Sequence, residues 1–65
     1  MKEVKTGRLW EVEPDKFIER IHDGKFYMYW YKNPILKTSA EEWNSMPEAL
    51  EAFNNDSVTW ELSHA

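Results

Sequence analysis

The stretch KFYMYWYK, residues 25–32, decides the fold that the sequence predicts. It is rich in aromatic residues, which favour β-strands, and it lies between Gly24 and the turn dipeptide Asn33-Pro34. Side chains alternate between the two faces of a strand, so Phe26, Met28 and Trp30 share one face. The other face carries Tyr27, Tyr29 and Tyr31. The stretch therefore predicts a strand with one apolar face and one tyrosine face.

The residues before this strand predict a strand followed by a short helix. Residues 8–13 alternate between apolar and polar, with Trp10 and Val12 on one side and Leu9 on the other. Pro14 suits the first turn of a helix, because its missing N–H has no partner to lose there. The helix would bury a stripe formed by Phe17, Ile18 and Ile21. Asp23-Gly24 would end it, because glycine readily adopts the left-handed conformation.

The residues after Pro34 predict a return strand, a helix and a final strand. Residues 35–38 could form the second arm of a hairpin, and residues 57–62 alternate again. Ser39 and Ser45 each precede a glutamate by three residues, which is the pattern of a helix capping box. Pro47 fits only the helix that begins after Ser45, so we expect a helix over residues 46–54.

These elements predict a single small α+β domain over residues 1–65, in the order β-α-β-β-α-β. Two short helices would cover one face of a three- or four-stranded sheet. A simpler meander with two packed helices is the alternative arrangement. Residues 1–6 and 63–65 are expected to fray. The predicted core consists of Trp10, Val12, Phe17, Ile18, Ile21, Phe26, Met28, Trp30, Leu36, Met46, Leu50, Phe53, Val58, Trp60 and Leu62.

Length and composition restrict the class of protein. A chain of 65 residues has room for one domain, and the absence of cysteine excludes disulfides and thiolate metal sites. Ten aromatic residues supply much of the apolar area, which favours a folded domain over disorder. No apolar run is long enough to cross a membrane, and no signal segment is recognisable. We therefore expect a soluble, cytoplasmic protein.

Catalytic and metal-binding patterns are missing from the sequence. His22 and His64 are the two histidines, and neither has a recognisable catalytic partner. The sequence has no nucleophile elbow, phosphate-binding glycine loop, paired-histidine metal motif or calcium loop. We therefore predict a non-enzyme that requires neither a cofactor nor a metal.

The tyrosines are the strongest functional candidates. If the helices cover the opposite face, then Tyr27, Tyr29 and Tyr31 line an uncovered face together with Leu9, Thr59 and Glu61. Tyrosine is enriched at protein interfaces because it buries a large area and carries a hydroxyl group. The second helix adds a possible acidic contact through Glu48 and Glu51. The sequence thus predicts a protein-binding module, such as an adaptor, an inhibitor or a regulatory subunit.

Two alternatives use the same face. The tyrosine rows of two copies could meet in an obligate homodimer, because a core this small is marginally stable alone. Alternatively, the rings could stack on bases of a single-stranded nucleic acid, with Lys25 and Lys32 beside the phosphates. The net charge of −4 disfavours nucleic acid, and the acidic residues concentrate in residues 34–65, which carry six acidic side chains and one basic.

Overall fold

The computed structural model describes residues 1–63, which form one antiparallel sheet and one helix. The elements are β1 (Lys2–Lys5), β2 (Leu9–Glu13), β3 (Lys16–Arg20), β4 (Phe26–Lys32), β5 (Ile35–Ser39), α1 (Met46–Asn54) and β6 (Trp60–Leu62). The strands lie in the sheet in chain order, and α1 packs against β4. The fold is mostly β, so the predicted three- or four-stranded α+β sheet with two helices is wrong.

The predicted first helix is the strand β3 in the structure. Pro14 and Asp15 form a two-residue turn between β2 and β3, in which Asp15 has a φ of 72°. A proline followed by a residue with positive φ is typical of a tight turn. Pro14 therefore marks a hairpin and not the start of a helix.

The apolar pair Phe17 and Ile18 explains why residues 16–20 resemble a helix in the sequence. Ile18 is fully buried on the face that α1 covers, whereas Phe17 points to the opposite face and stacks on Tyr29. Because both faces of β3 carry an apolar residue, the alternation of an ordinary half-buried strand is lost. The adjacent apolar residues imitate one stripe of a helix.

Gly24 lies in the connection between β3 and β4, where the sequence predicted the end of a helix. Its φ is 85°, and its N–H donates to the carbonyl of Ile21. Glycine adopts this left-handed conformation at little steric cost. His22 lies exposed in the same connection, beyond any helix.

The first residues of the chain form an edge strand where the sequence predicted fraying. Strand β1 pairs with β2, although all four of its side chains are exposed. Backbone hydrogen bonds to β2 stabilise this strand. Because none of its side chains is buried, the sequence shows no alternation of apolar and polar residues that would predict a strand. Glu3 also accepts a 2.8 Å hydrogen bond from the N–H of Gly7 in the following turn. At the other end, fraying was predicted for residues 63–65. Ser63 donates its N–H to the carbonyl of Leu36 in β5, and His64 and Ala65 lie outside the described residues.

Helix α1 confirms the prediction made from the second capping box. It spans Met46–Asn54, and the Ser45 side chain accepts a hydrogen bond from the N–H of Glu48. Ser39 has a different role: its hydroxyl accepts from the N–H of Met28 and donates to the carbonyl of Glu41. The return strand and the turn at Asn33-Pro34, whose peptide bond is cis, are also present.

The core lies between α1 and one face of the sheet. Ile18, Met28 and Ala49 are buried, and a ring of half-buried side chains surrounds them. This ring comprises Trp10, Val12, Phe26, Trp43, Met46, Leu50, Phe53, Val58 and Trp60. Leu62, predicted to be a core residue, is 60% exposed. The core prediction also missed Ala49 and Trp43, and Trp43 reaches the core through a bridge to Phe26.

Candidate functional site

The sheet face opposite α1 carries the three tyrosines and is called the tyrosine face below. Tyr29 lies between Phe17 of β3 and Thr38 of β5 in the strand register. Tyr27 is paired with Glu19, and Tyr31 is paired with Leu36. Because directly paired residues project to the same side of a sheet, these side chains form one continuous surface.

Aromatic packing orders the middle of the tyrosine face. The ring centres of Phe17 and Tyr29 lie 4.9 Å apart with the rings nearly parallel. The Tyr27 and Tyr29 ring centres are 6.0 Å apart. Both tyrosines are half-buried as a result, whereas Tyr31, at the end of the row, is 44% exposed. The row is therefore partly covered by its own rings and open at Tyr31.

A hydrogen bond fixes the hydroxyl of Tyr27, which donates to Glu19 Oε1 over 2.7 Å. Burial raises the pKa of Tyr27 far above its ordinary value, and the hydrogen bond and negative charge of Glu19 raise it further. The pKa of Tyr29 is also raised, first by burial and then by the charge of Glu19. Both hydroxyls are therefore neutral at physiological pH.

A shallow depression of about 370 Å³ lies over this row of rings. Its lining consists of Glu19, Tyr27, Tyr29, Tyr31, Leu36 and Thr38. Within residues 1–63, the single helix packs on the other face of the sheet, so no helix covers the depression. The depression combines aromatic rings, one aliphatic side chain, hydroxyl groups and a carboxylate.

Acidic side chains share the tyrosine face. Strand register puts Glu11 beside Phe17 and puts Glu61 beside Thr38, so both lie on the same side as Glu19. Lys32 is paired with Ile35 and projects to the opposite side, because its position alternates with that of Tyr31. The register also puts Lys2 beside Glu11 and Lys5 beside Leu9 on this side of the sheet, at the edge formed by β1. The tyrosine face therefore carries three glutamates and two lysines, with both lysines on β1.

The structure divides the predicted site residues between two faces. Leu9 does lie on the tyrosine face, paired with Glu19, but it is only 8% exposed and so offers little surface to a partner. Glu48 and Glu51 are exposed on α1, on the other side of the sheet. The tyrosines and the acidic helix therefore cannot form one flat contact surface.

Thr59 lies apart from the row of tyrosines. It precedes β6, and its N–H donates to Glu41 Oε1 over 3.1 Å while its carbonyl accepts from the N–H of Ala40. The hydrogen bonds from Thr59 hold the pKa of Glu41 below its ordinary value. The structure assigns Thr59 to a local link between two loops.

Sequence reasoning missed several residues of the depression. Glu19 was not predicted to lie on the tyrosine face because residues 16–20 were interpreted as a helix. Leu36 was interpreted as a core residue, although its pairing with Tyr31 puts it on the tyrosine face. Thr38 was part of the predicted return strand, and a register for that strand would have revealed its position beside Tyr29.

Among residues 1–63, no three or more histidine or acidic side chains lie close enough together to hold a metal ion. In the same range, no helix has the length and apolar character needed to cross a membrane.

Comparison of the chain with protein-family models, curated proteins and solved structures gives no significant match.

Proposed function

We propose that this protein is a non-catalytic protein-binding module that acts as an adaptor, inhibitor or regulatory subunit in the cytoplasm. The observation that carries the proposal is the tyrosine-lined depression opposite α1, with Tyr31 exposed at its end. Apolar surface of this kind, rimmed by polar groups, is typical of sites where proteins meet. The partner contacts Tyr31, Leu36 and the edges of the Tyr27 and Tyr29 rings.

Preorganisation supports this role for the tyrosine face. Tyr29 is held between the rings of Phe17 and Tyr27, and Tyr27 is also held by Glu19. Side chains that are already ordered lose little conformational entropy when a partner binds. Tyrosine also has few rotatable bonds for the area it buries. The face therefore resembles a rigid anchor more than an adaptable loop.

The glutamates of the face, which outnumber its lysines, indicate the chemistry of the partner. Glu11, Glu19 and Glu61 favour a partner surface with arginine or lysine, and an arginine could also stack on the exposed Tyr31 ring. The same glutamates would repel phosphates, Lys32 projects to the other side, and Lys2 and Lys5 lie on β1, three strands away from the tyrosines of β4. A protein with a basic patch is thus a better fit than single-stranded nucleic acid.

A pull-down with matched variants tests the proposal. Tagged native chain, Tyr31→Ser and the control Glu48→Gln/Glu51→Gln are incubated with nuclease-treated lysate, and bound proteins are quantified by mass spectrometry. We expect one protein to be recovered by the native chain and the control but lost with Tyr31→Ser. Equal recovery by all three chains would contradict a role for the tyrosine face.

Self-association is the main competing outcome for the same face. Light scattering across a dilution series measures it directly. A concentration-dependent dimer that Tyr31→Ser abolishes would replace the external partner with a second copy of this chain. A monomer at all concentrations is the result that we expect.

A further inference from the structure

Trp30 lies between two lysines on the face of the sheet that carries α1. Lys16 on β3 and Lys37 on β5 are its neighbours in the strand register. Their Nζ atoms lie 4.5 Å and 5.0 Å from the centre of a Trp30 ring. Both distances are within the range of a cation–π interaction, which keeps the two positive charges close to the indole.

A pocket of about 310 Å³ opens beside this tryptophan, at the tip of the β4–β5 hairpin. It is lined by Trp30, Lys32, Asn33, Pro34, Ile35 and Lys37. Ile35 is 53% exposed, and Leu62, the cross-strand partner of Lys37, is 60% exposed. The pocket and its surroundings therefore present apolar surface that the fold itself does not bury.

The charge around this pocket is opposite to that of the whole chain. Within residues 1–63, the single ion pair joins Lys16 to Glu13 over 3.5 Å, so Lys32 and Lys37 have no carboxylate partner there. The chain as a whole has a net charge of −4. Two ammonium groups that have no carboxylate partner and lie beside exposed apolar surface are suited to a ligand that combines carboxylates with an apolar group.

We propose that this pocket is a second docking site, which takes an acidic segment of another protein and inserts one of its apolar side chains beside Trp30. Sites for small molecules usually bury most of the ligand. This pocket lies on the tip of a hairpin, open to solvent, and its volume suits one side chain projecting from a larger partner. Lys32 and Lys37 bind the flanking carboxylates.

The site is separate from the tyrosine face, because Trp30 and Tyr31 project to opposite sides of β4. The two sites also differ in charge: glutamates outnumber lysines on the tyrosine face, whereas Lys32 and Lys37 line the Trp30 pocket. A protein with both sites could bind a basic surface on one side and an acidic segment on the other. The second docking site goes beyond the proposed function and does not depend on it.

A titration followed by nuclear magnetic resonance tests this second site. The probe is a short synthetic peptide with one phenylalanine flanked on both sides by aspartate and glutamate. We expect shifts in the Trp30 indole N–H and in the backbone amides of Lys37 and Leu62, and no shifts at Tyr27 or Tyr29. Lys32→Gln/Lys37→Gln should weaken binding by about tenfold or more.

Matched controls separate this site from general charge attraction. Lys25→Gln removes a lysine just before β4, at the opposite end of the strand from the pocket, and should leave the affinity unchanged. A peptide with serine in place of phenylalanine should bind more weakly than the probe. The thermal midpoint of the double lysine variant shows whether it remains folded, and Ile35→Ser provides a second variant that keeps both lysines.

Three results would overturn the proposal. The first is an absence of shifts at millimolar peptide, and the second is an affinity that neither Lys32→Gln/Lys37→Gln nor Ile35→Ser reduces. The third is binding of phenylpropionate as tightly as the peptide, because this would make the pocket a small-molecule site. None of these results bears on binding at the tyrosine face.

Discussion

The hydroxyl of Tyr27 donates a 2.7 Å hydrogen bond to Glu19 Oε1 across the β3–β4 pair. This bond joins the row of tyrosines to one of the three glutamates on their face. It also orients the Tyr27 ring, which lies 6.0 Å from that of Tyr29. One contact between neighbouring strands thus contributes to both the rigidity and the electrostatics of the proposed binding face.

Removing the charge of Glu19 should lower the pKa of Tyr27. Burial is the largest cause of its raised pKa and persists in Glu19→Gln, so the pKa should fall only part of the way to its ordinary value. The ultraviolet absorbance of tyrosinate, followed as the pH is raised, measures this change. Glu61→Gln is the control. If Glu19→Gln and the native chain give identical titrations, the coupling between Glu19 and Tyr27 is refuted.

The acid stability of the chain should depend on Glu41. Its pKa is lower in the folded chain than when unfolded, because the carboxylate accepts hydrogen bonds from Thr59. This stabilisation is therefore present at neutral pH and is lost as the pH falls below about 4. Urea unfolding as a function of pH should show a shallower acid decline for Glu41→Gln. A parallel decline in Glu42→Gln and Glu41→Gln would contradict this role.

The buried side chain of Met28 should be essential for stability. It is 1% exposed and lies among Ile18 and Ala49. Met28→Ala should reduce the free energy of unfolding by about 2–5 kcal/mol, because it removes buried area and leaves a cavity. Leu62→Ala, at an exposed position, should cost less than about 0.5 kcal/mol. Denaturant titration measures the free energy of unfolding of both variants. Similar losses in the two would contradict the assignment of Met28 to the core and of Leu62 to the surface.

The cap of α1 should contribute measurably to stability. The Ser45 side chain accepts a hydrogen bond from the N–H of Glu48, which otherwise has no partner within the helix. Ser45→Ala should cost about 1 kcal/mol in urea unfolding, whereas Ser45→Asp should retain most of the stability. If Ser45→Asp is as destabilised as Ser45→Ala, capping does not explain the effect.

The sequence predicted best the elements whose signals are local. The aromatic strand at residues 26–32, the turn at Asn33-Pro34 and the helix after Ser45 were all recognisable from short patterns. The tyrosine row followed from the two-residue period of a strand alone. The central part of the candidate site was therefore predictable without knowing the arrangement of the sheet.

The elements that the sequence mispredicted depend on contacts between distant residues. Phe17 and Ile18 form part of a strand because Ile18 packs against α1 on one face, while Phe17 stacks on its neighbour Tyr29 on the other. Strand β1 has no buried side chain that could reveal it. The separation of Glu48 and Glu51 from the tyrosines required the strand order. Local patterns do not contain this information.

Binding of the native chain and of Tyr31→Ser to the partner recovered from lysate tests the central proposal most directly. Tyr31 is 44% exposed and lies at the open end of the row, so its replacement should leave the fold intact. Titration calorimetry with the purified partner should show binding weakened by about 2 kcal/mol or more, while the melting temperature stays close to that of the native chain. Unchanged affinity, with Tyr31→Ser folded, would contradict a protein-binding role for the tyrosine face.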